Sequence, residues 1–188
     1  MDYFAEAVTT NDFPSDGLVA LYDDIAYGQS LGTTAKFPRD SFAFKWADEI
    51  RNTKLLEIAW SPSRTGLINP VAVFEPVELE GTTVSRASVH NISIMEGLEL
   101  GAGDKITVYK ANMIIPAIDT NNTRSNSYKL PLVCPSCGSA LEVHTSEQSG
   151  TETLHCPNSH CPARRAAQFE HFVSRDAMDI RGLSGAKL

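Results

Sequence analysis

The feature that most constrains this chain is its set of four cysteines, Cys134-Pro-Ser-Cys137 and Cys156-Pro-Asn-Ser-His-Cys161, the only cysteines in 188 residues. Each pair is spaced for a tight turn that aims two thiolates at one point, and the intervening residues suffice for a small hairpin that joins the pairs. Pro135, Pro157 and Gly138 are the turn-forming residues such loops require. Four thiolates in a closed tetrahedral shell are a standard structural zinc site. The competing chemistries are two disulfides or a redox-active C-x-x-C. No secretory segment opens the chain, which favours a reducing compartment and disfavours disulfides. A redox motif would open a helix in a βαβ unit, whereas Cys134 runs on into Gly138 and polar residues. The expected ligands are therefore Cys134, Cys137, Cys156 and Cys161, with His155 and His160 as bystanders.

A structural metal does not define a reaction, so the rest of the chain has to. The sequence has no apolar run long enough to span a membrane, and none is expected as a partner. The net charge of −7 argues against nucleic acid at first sight, but it is unevenly placed. Residues 1–49 carry nine acids and three bases, a net of −6, while residues 50–188 carry fourteen and thirteen, a net of −1. That leaves room for a basic face beyond residue 50.

Residues 1–49 read as an incomplete domain: a turn feeding a short buried strand within Asp16–Asp24, a short helix over 24–31, and an alternating strand at Phe42–Trp46 with Lys45 facing away from Phe44 and Trp46. Such a set cannot bury a sound core alone. From Lys54 to Ile118 the pattern is all-β, with strands at Leu55–Trp60, Pro70–Leu79, Thr82–Val89, Lys105–Tyr109 and Met113–Ile118. A helix over Asn91–Leu98, capped by His90 or Asn91, separates the third from the fourth. This order suits a five-stranded barrel of oligonucleotide-binding (OB) type, and by periodicity alone it suits another small barrel equally. Asn121–Lys129 reads as a polar linker. Ala163–Met178 has a helical pattern, and the last ten residues look like a turn entering a further helix, so the chain reads as a piece of something longer.

Several segments together resemble the NAD-dependent DNA ligases of bacteria. They are Phe13-Pro-Ser-Asp16-Gly17-Leu-Val19, Ala35-Lys36-Phe-Pro38-Arg39-Asp-Ser-Phe-Ala43-Phe44-Lys45-Trp46 and Ser63-Arg64-Thr65-Gly66-Leu-Ile-Asn-Pro70-Val71-Ala72. Glu75-Pro76-Val77, Val84-Ser85-Arg86-Ala87-Ser-Val-His90-Asn91, the cysteine module and Phe172-Val173-Ser174-Arg175-Asp-Ala177-Met178-Asp179-Ile180-Arg-Gly182-Leu183 complete the set. The resemblance implies a mainly β chain with some α. Residues 1–48 would be the C-terminal part of a nucleotidyltransferase (adenylation) domain, 49–128 an OB-fold, 129–163 a four-cysteine zinc finger, and 164–188 the start of a helix-hairpin-helix domain.

In that family a lysine takes AMP from NAD, passes it to the 5′-phosphate of a nick, and the 3′-hydroxyl then displaces AMP. The resemblance implies a parent enzyme that seals nicked duplex DNA in replication and repair in the bacterial cytoplasm. It would use NAD and Mg²⁺, hold structural Zn²⁺, and partner DNA and the remaining domains of the same ligase. Lys45 carries over as the catalytic cation near the α-phosphate, and Lys36 and Asp16 join it on the nucleotide side. Arg64, Thr65, Arg86 and Lys110 carry the DNA backbone contacts expected of a sequence-indifferent enzyme, and Arg164 and Arg165 are further candidates. Two departures stand out. The nucleophile motif Lys-x-Asp-Gly is missing, so this chain alone should not form the adenylylated intermediate. Leu21 stands where the family usually has a lysine. The alternative is a free-standing, non-catalytic DNA-binding module of barrel and zinc finger.

Overall fold

The computed structural model describes residues 2–7, 10, 12, 15, 17–183, 185 and 187. It divides into two compact units, residues 1–48 and 49–188.

In the first unit, a helix α1 (Asp2–Ala7) precedes strand β1 (Gly17–Leu21), helix α2 (Ile25–Ser30) and strand β2 (Ser41–Lys45). The helix α1 has no counterpart in the sequence reading. Asp24 caps α2 through its carboxylate, which accepts from the Tyr27 N–H at 3.0 Å, satisfying one of the donors a helix start leaves open. β1 and β2 pair antiparallel, Gly17 opposite Lys45 and Val19 opposite Ala43. β1 is not the buried strand expected: Val19 is 64 % and Leu21 69 % exposed. A two-stranded ribbon has no second layer to cover it, so apolar sequence does not translate into burial here.

The second unit is a barrel with a cysteine module built onto it. Strands β3 (Arg51–Pro62), β4 (Leu67–Leu79), β5 (Thr82–Ser88), β6 (Lys105–Ala111) and β7 (Ile115–Asn121) pair antiparallel in the order β7-β6-β3-β4-β5. β5 also lies against β7, which closes the barrel. The β4–β5 hairpin turns on Glu80 (φ +45°) and Gly81 (φ +73°), the left-handed pair that a two-residue hairpin needs. Helix α3 (Ile92–Gly97) bridges β5 and β6; its cap is Asn91, whose Oδ1 accepts from the Ile94 N–H at 2.9 Å. Leu55, Ile58, Ala72, Phe74, Leu79, Val89, Met95, Leu100, Ile106 and Val108 fill the interior. This is the OB-type order expected, with four of the five strands longer than the sequence pattern indicated and β5 one residue shorter.

Three readings need correction. Met113 is not in the last barrel strand: Asn112 and Met113 both have positive φ and form the turn, and the strand starts at Ile115. Residues 121–129 are not a loose linker. Asn121 is 7 % exposed, the Asn126 N–H bonds to the Glu99 carbonyl (2.8 Å), Arg124 makes a two-pronged ion pair with Glu99, and the Tyr128 hydroxyl reaches the Leu56 carbonyl (3.3 Å). Gly101 is what admits this strap, since a Cβ there would strike the Ser125 and Ser127 hydroxyls. The helix expected to reach Met178 ends at Val173, where Ser174 turns extended and its hydroxyl caps the His171 carbonyl at 2.7 Å. Residues 175–178 and 181–182 form turns, and the further helix expected at the end of the chain falls partly on residues outside those described.

Within the module, β8 (Glu142–Thr145) and β9 (Glu152–His155) form the hairpin between the cysteine pairs, and α4 (Pro162–Val173) follows Cys161 directly. β9 adds to the edge of β4, Leu67 opposite His155 and Ile68 opposite Leu154. No helix among the described residues is long and apolar enough to cross a membrane.

Candidate functional site

The four cysteine sulfurs lie within 4.8 Å of one another and form the one such cluster of metal-capable side chains among the described residues. The first knuckle is shaped by backbone: Gly138 N–H bonds to the Cys134 carbonyl (2.9 Å), Cys134 N–H to the Ser139 carbonyl (2.8 Å), and Gly138 takes φ +72°. The second closes through Cys161 N–H on the Asn158 carbonyl at 3.2 Å, and Ser136 Oγ accepts from the Ala163 N–H to tie the two together. The short cross-pair separations are 3.9 Å for Cys134–Cys161 and 3.6 Å for Cys137–Cys156. A disulfide needs about 2.05 Å, and all four thiols are free. The sulfur–sulfur edge of a tetrahedron with metal–sulfur bonds of about 2.3 Å is about 3.8 Å. The spacing is one in which four thiolates could hold a metal ion.

The thiols differ electrostatically. The Ser139 hydroxyl, 3.3 Å from Cys137 Sγ, and the Ser139 backbone N–H pull that thiol down to about 6, while burial pushes Cys156 up to about 12. A thiolate buried like Cys156 is unfavourable unless a cation faces it, so the donor set fits a metal that displaces the proton. His155 stacks on His144, centroids 4.3 Å apart, and bonds to Thr153; neither His155 nor the exposed His160 joins the sulfur cluster. The module has little interior of its own. Cys134, Cys156, Cys161 and Leu154 pack with Ile68 of β4 and Ile92 of α3, and Trp60 and Leu130 touch both this cluster and the barrel core.

The expected DNA-side residues separate into two kinds. Arg64 and Thr65 are exposed at the β3–β4 turn, where the Gly66 N–H bonds to the Ser63 carbonyl (3.0 Å) and Ser63 Oγ lies 3.0 Å from Thr65 Oγ1. Arg86 is exposed on β5. Lys110 is different. It alternates with Ile106 and Val108 on β6, is 5 % exposed, and donates from Nζ to Thr82 Oγ1 at 2.6 Å. Its ammonium is held inside the protein, and the period-2 pattern Ile106-Val108-Lys110 was the signal for that inward placement. Arg164 is half-buried, its Nε directed to the Arg64 carbonyl (3.3 Å) rather than outward. Gly66 lets the cysteine module approach the turn. At φ +93° a Cβ there would stand 2.7 Å from the Cys156 carbonyl oxygen.

A feature missed in the sequence is the β6–β7 tip, where Met113, Ile114 and Ile115 are 37 %, 76 % and 55 % exposed. Three consecutive apolar residues directly after a polar, turn-forming Asn112 were the available signal.

In the first unit, Lys45 ends β2 and is exposed, and the flanking Phe44 and Trp46 rings meet edge-to-face, centroids 5.4 Å apart. Lys36 is exposed on a separate turn organised by Thr34, whose Oγ1 accepts from the Lys36 and Phe37 N–H groups. Asp16 lies outside the described residues.

Comparison with known proteins places this architecture. Residues 52–129 match the family model for the NAD-dependent DNA ligase OB-fold domain. Over all 188 residues the chain is 63 % identical to a DNA ligase of Ruminiclostridium cellulolyticum and 63 % to one of Lachnoclostridium phytofermentans. It is 40 % identical over 173 residues, 89 % of its length, to a DNA ligase of Ligilactobacillus salivarius. The chain spans 28 % of the first two relatives and 25 % of the third. With a ligase-type barrel over 52–129 and DNA ligases of bacteria aligned along the whole of this chain, the chain belongs to the bacterial NAD-dependent DNA ligase family.

Proposed function

We propose that this chain provides the duplex-gripping part of a ligase that seals nicks in DNA, together with one phosphate-side lysine of its nucleotide chemistry. The observation that carries the reading is the ligase-type barrel bearing an exposed Arg64–Thr65 turn. A guanidinium and a hydroxyl side by side suit a phosphodiester, and backbone contacts suit an enzyme that must seal any sequence. Arg86 extends the basic track. Lys110 would join it only by leaving Thr82. The apolar tip Met113–Ile115 suits contact with the sugar walls of a minor groove, where proteins commonly seat apolar side chains.

The same reading makes Zn²⁺ the metal of the cysteine cluster, with a structural role. The residue domains follow the resemblance: 1–48 from the nucleotidyltransferase domain, 49–128 the barrel, 129–163 the finger, and 164–188 the entry to the helix-hairpin-helix domain. When bound to the whole enzyme, NAD supplies the adenylyl group and Mg²⁺ offsets phosphate charge. The residues here fit only part of that site, since the sequence has no Lys-x-Asp-Gly. Lys45 is assigned to the developing phosphoryl charge, with Lys36 and Asp16 on the nucleotide side. Free thiols accord with a reducing bacterial cytoplasm.

The test supplies the rest of a bacterial ligase in trans and measures sealing of a nicked duplex. Sealing that needs both pieces, and that falls by roughly 100-fold or more in Lys45→Ala, is the expected result. Well-folded pieces that bind DNA yet never seal would favour the free-standing binding module instead.

A further inference from the structure

The β3–β4 turn is held from behind by the cysteine module. Arg164 Nε and Gln168 Nε2 of α4 both donate to the Arg64 carbonyl, each at 3.3 Å. Two donors on one carbonyl occupy both of its lone pairs. The next anchor is two residues on: the Cys156 N–H bonds to the Gly66 carbonyl at 2.8 Å, and Gly66 has no side chain to keep the module away. Beyond it, Leu67 and Ile68 pair with His155 and Leu154 of β9. The turn therefore has its backbone fixed by groups 100 and 104 residues away in sequence, while the Arg64 and Thr65 side chains remain exposed. The carbonyl direction fixes the plane of the peptide joining Arg64 to Thr65, and so the directions in which those side chains leave the chain.

We infer that Arg164 and Gln168 are positioning residues for the Arg64–Thr65 turn, orienting it through the Arg64 carbonyl so that the module following Cys161 sets how the barrel meets a DNA phosphate. This rests on the DNA-binding reading of Arg64. It also assigns the two arginines opposite roles, with Arg64 facing the ligand and Arg164 facing the protein. Either hydrogen bond alone is modest, but a preorganised contact avoids ordering a flexible loop at the moment of binding.

The experiment uses the metal-loaded full chain and a nicked duplex, comparing wild type with Arg64→Ala, Arg164→Met/Gln168→Met, the triple variant and Arg164→Lys. Methionine keeps the packing of the stems and removes the donors. Metal content and melting temperature should stay near wild type in the double variant, while amide hydrogen exchange speeds up in residues 63–66. Its affinity should fall about as far as in Arg64→Ala, the slope of log K against log salt should lessen by about 0.9 (one phosphate contact), and the triple variant should lose nothing more. Arg164→Lys, which keeps a donor at that position, should lose less than the double variant. Unchanged exchange and an unchanged slope would overturn the inference, as would additive losses in the triple variant, which would put Arg164 itself on the DNA. Should the double variant lose metal, the single Gln168→Met, at an exposed position, gives the same two readouts. A wild type without salt-dependent binding defeats the DNA reading, whereas the exchange result still decides whether the two side chains hold the turn.

Discussion

Residues 1–48 and 49–188 contain the same kinds of local structure, and only the second turns them into a core. Both have antiparallel strands and a helix with a side-chain cap, Asp24 in one and Asn91 in the other. Yet Phe37 and Phe42 are 69 % and 66 % exposed in the first unit, while Leu55 and Phe74 are fully buried in the second. Among the described residues of 1–48 only Gly28 is buried. Caps, turns and alternation act over a few residues, whereas burial needs a second layer. The barrel makes that layer by closing on itself and by lending Ile68 and Ile92 to the cysteine module.

The largest test of this contrast is removal of the metal proposed for the cysteine cluster. The module relies on four thiols and a borrowed apolar cluster, and structural zinc in such modules contributes about 10–16 kcal/mol of apparent binding energy. Chelation should abolish hydrogen-exchange protection in β8 and β9 while β6 of the barrel stays protected. Full protection of the hairpin without metal would show that the borrowed core suffices.

Next in size is a pair of truncations. Phe74→Ala should cost about 3–5 kcal/mol in denaturant unfolding of the barrel, and Phe42→Ala should stay within about 0.5 kcal/mol because its ring is already in water. Equal costs would break the comparison between the units. A smaller effect should come from Asn121→Ala. Asn121 Nδ2 faces the Leu98 and Glu99 carbonyls and Asp104 Oδ2 (2.7 Å), and its Oδ1 accepts from the Thr123 and Arg124 N–H groups. Asp104 is 1 % exposed, so losing this donor leaves a buried carboxylate under-satisfied, at about 1–3 kcal/mol. Melting of this variant at the wild-type temperature would return residues 121–129 to the status of a linker.

Much of the barrel was legible in the residues, because period-2 alternation and turn chemistry are local signals. The Glu80-Gly81 hairpin and the α3 cap at His90 or Asn91 are readable from neighbouring letters. Burial is less legible. β1 reads as a buried strand because its letters are apolar, but nothing among the described residues of its unit covers it. The charge of Lys110 suggests a basic track, whereas its place in the Ile106-Val108-Lys110 alternation points inward, and the ammonium is found on Thr82.

The residues by themselves determined the four-cysteine cluster, the succession of strands along the barrel segment and the resemblance to the ligases, since spacing and motif identity are properties of short segments. Tertiary structure alone decided that residues 121–129 bind the barrel as a strap, that the cysteine module shares an apolar cluster with the barrel, and that Arg164 donates to the Arg64 carbonyl. Those contacts join positions up to 104 residues apart, and they exist only after the chain has paid the loop-closure entropy that brings such distant segments together.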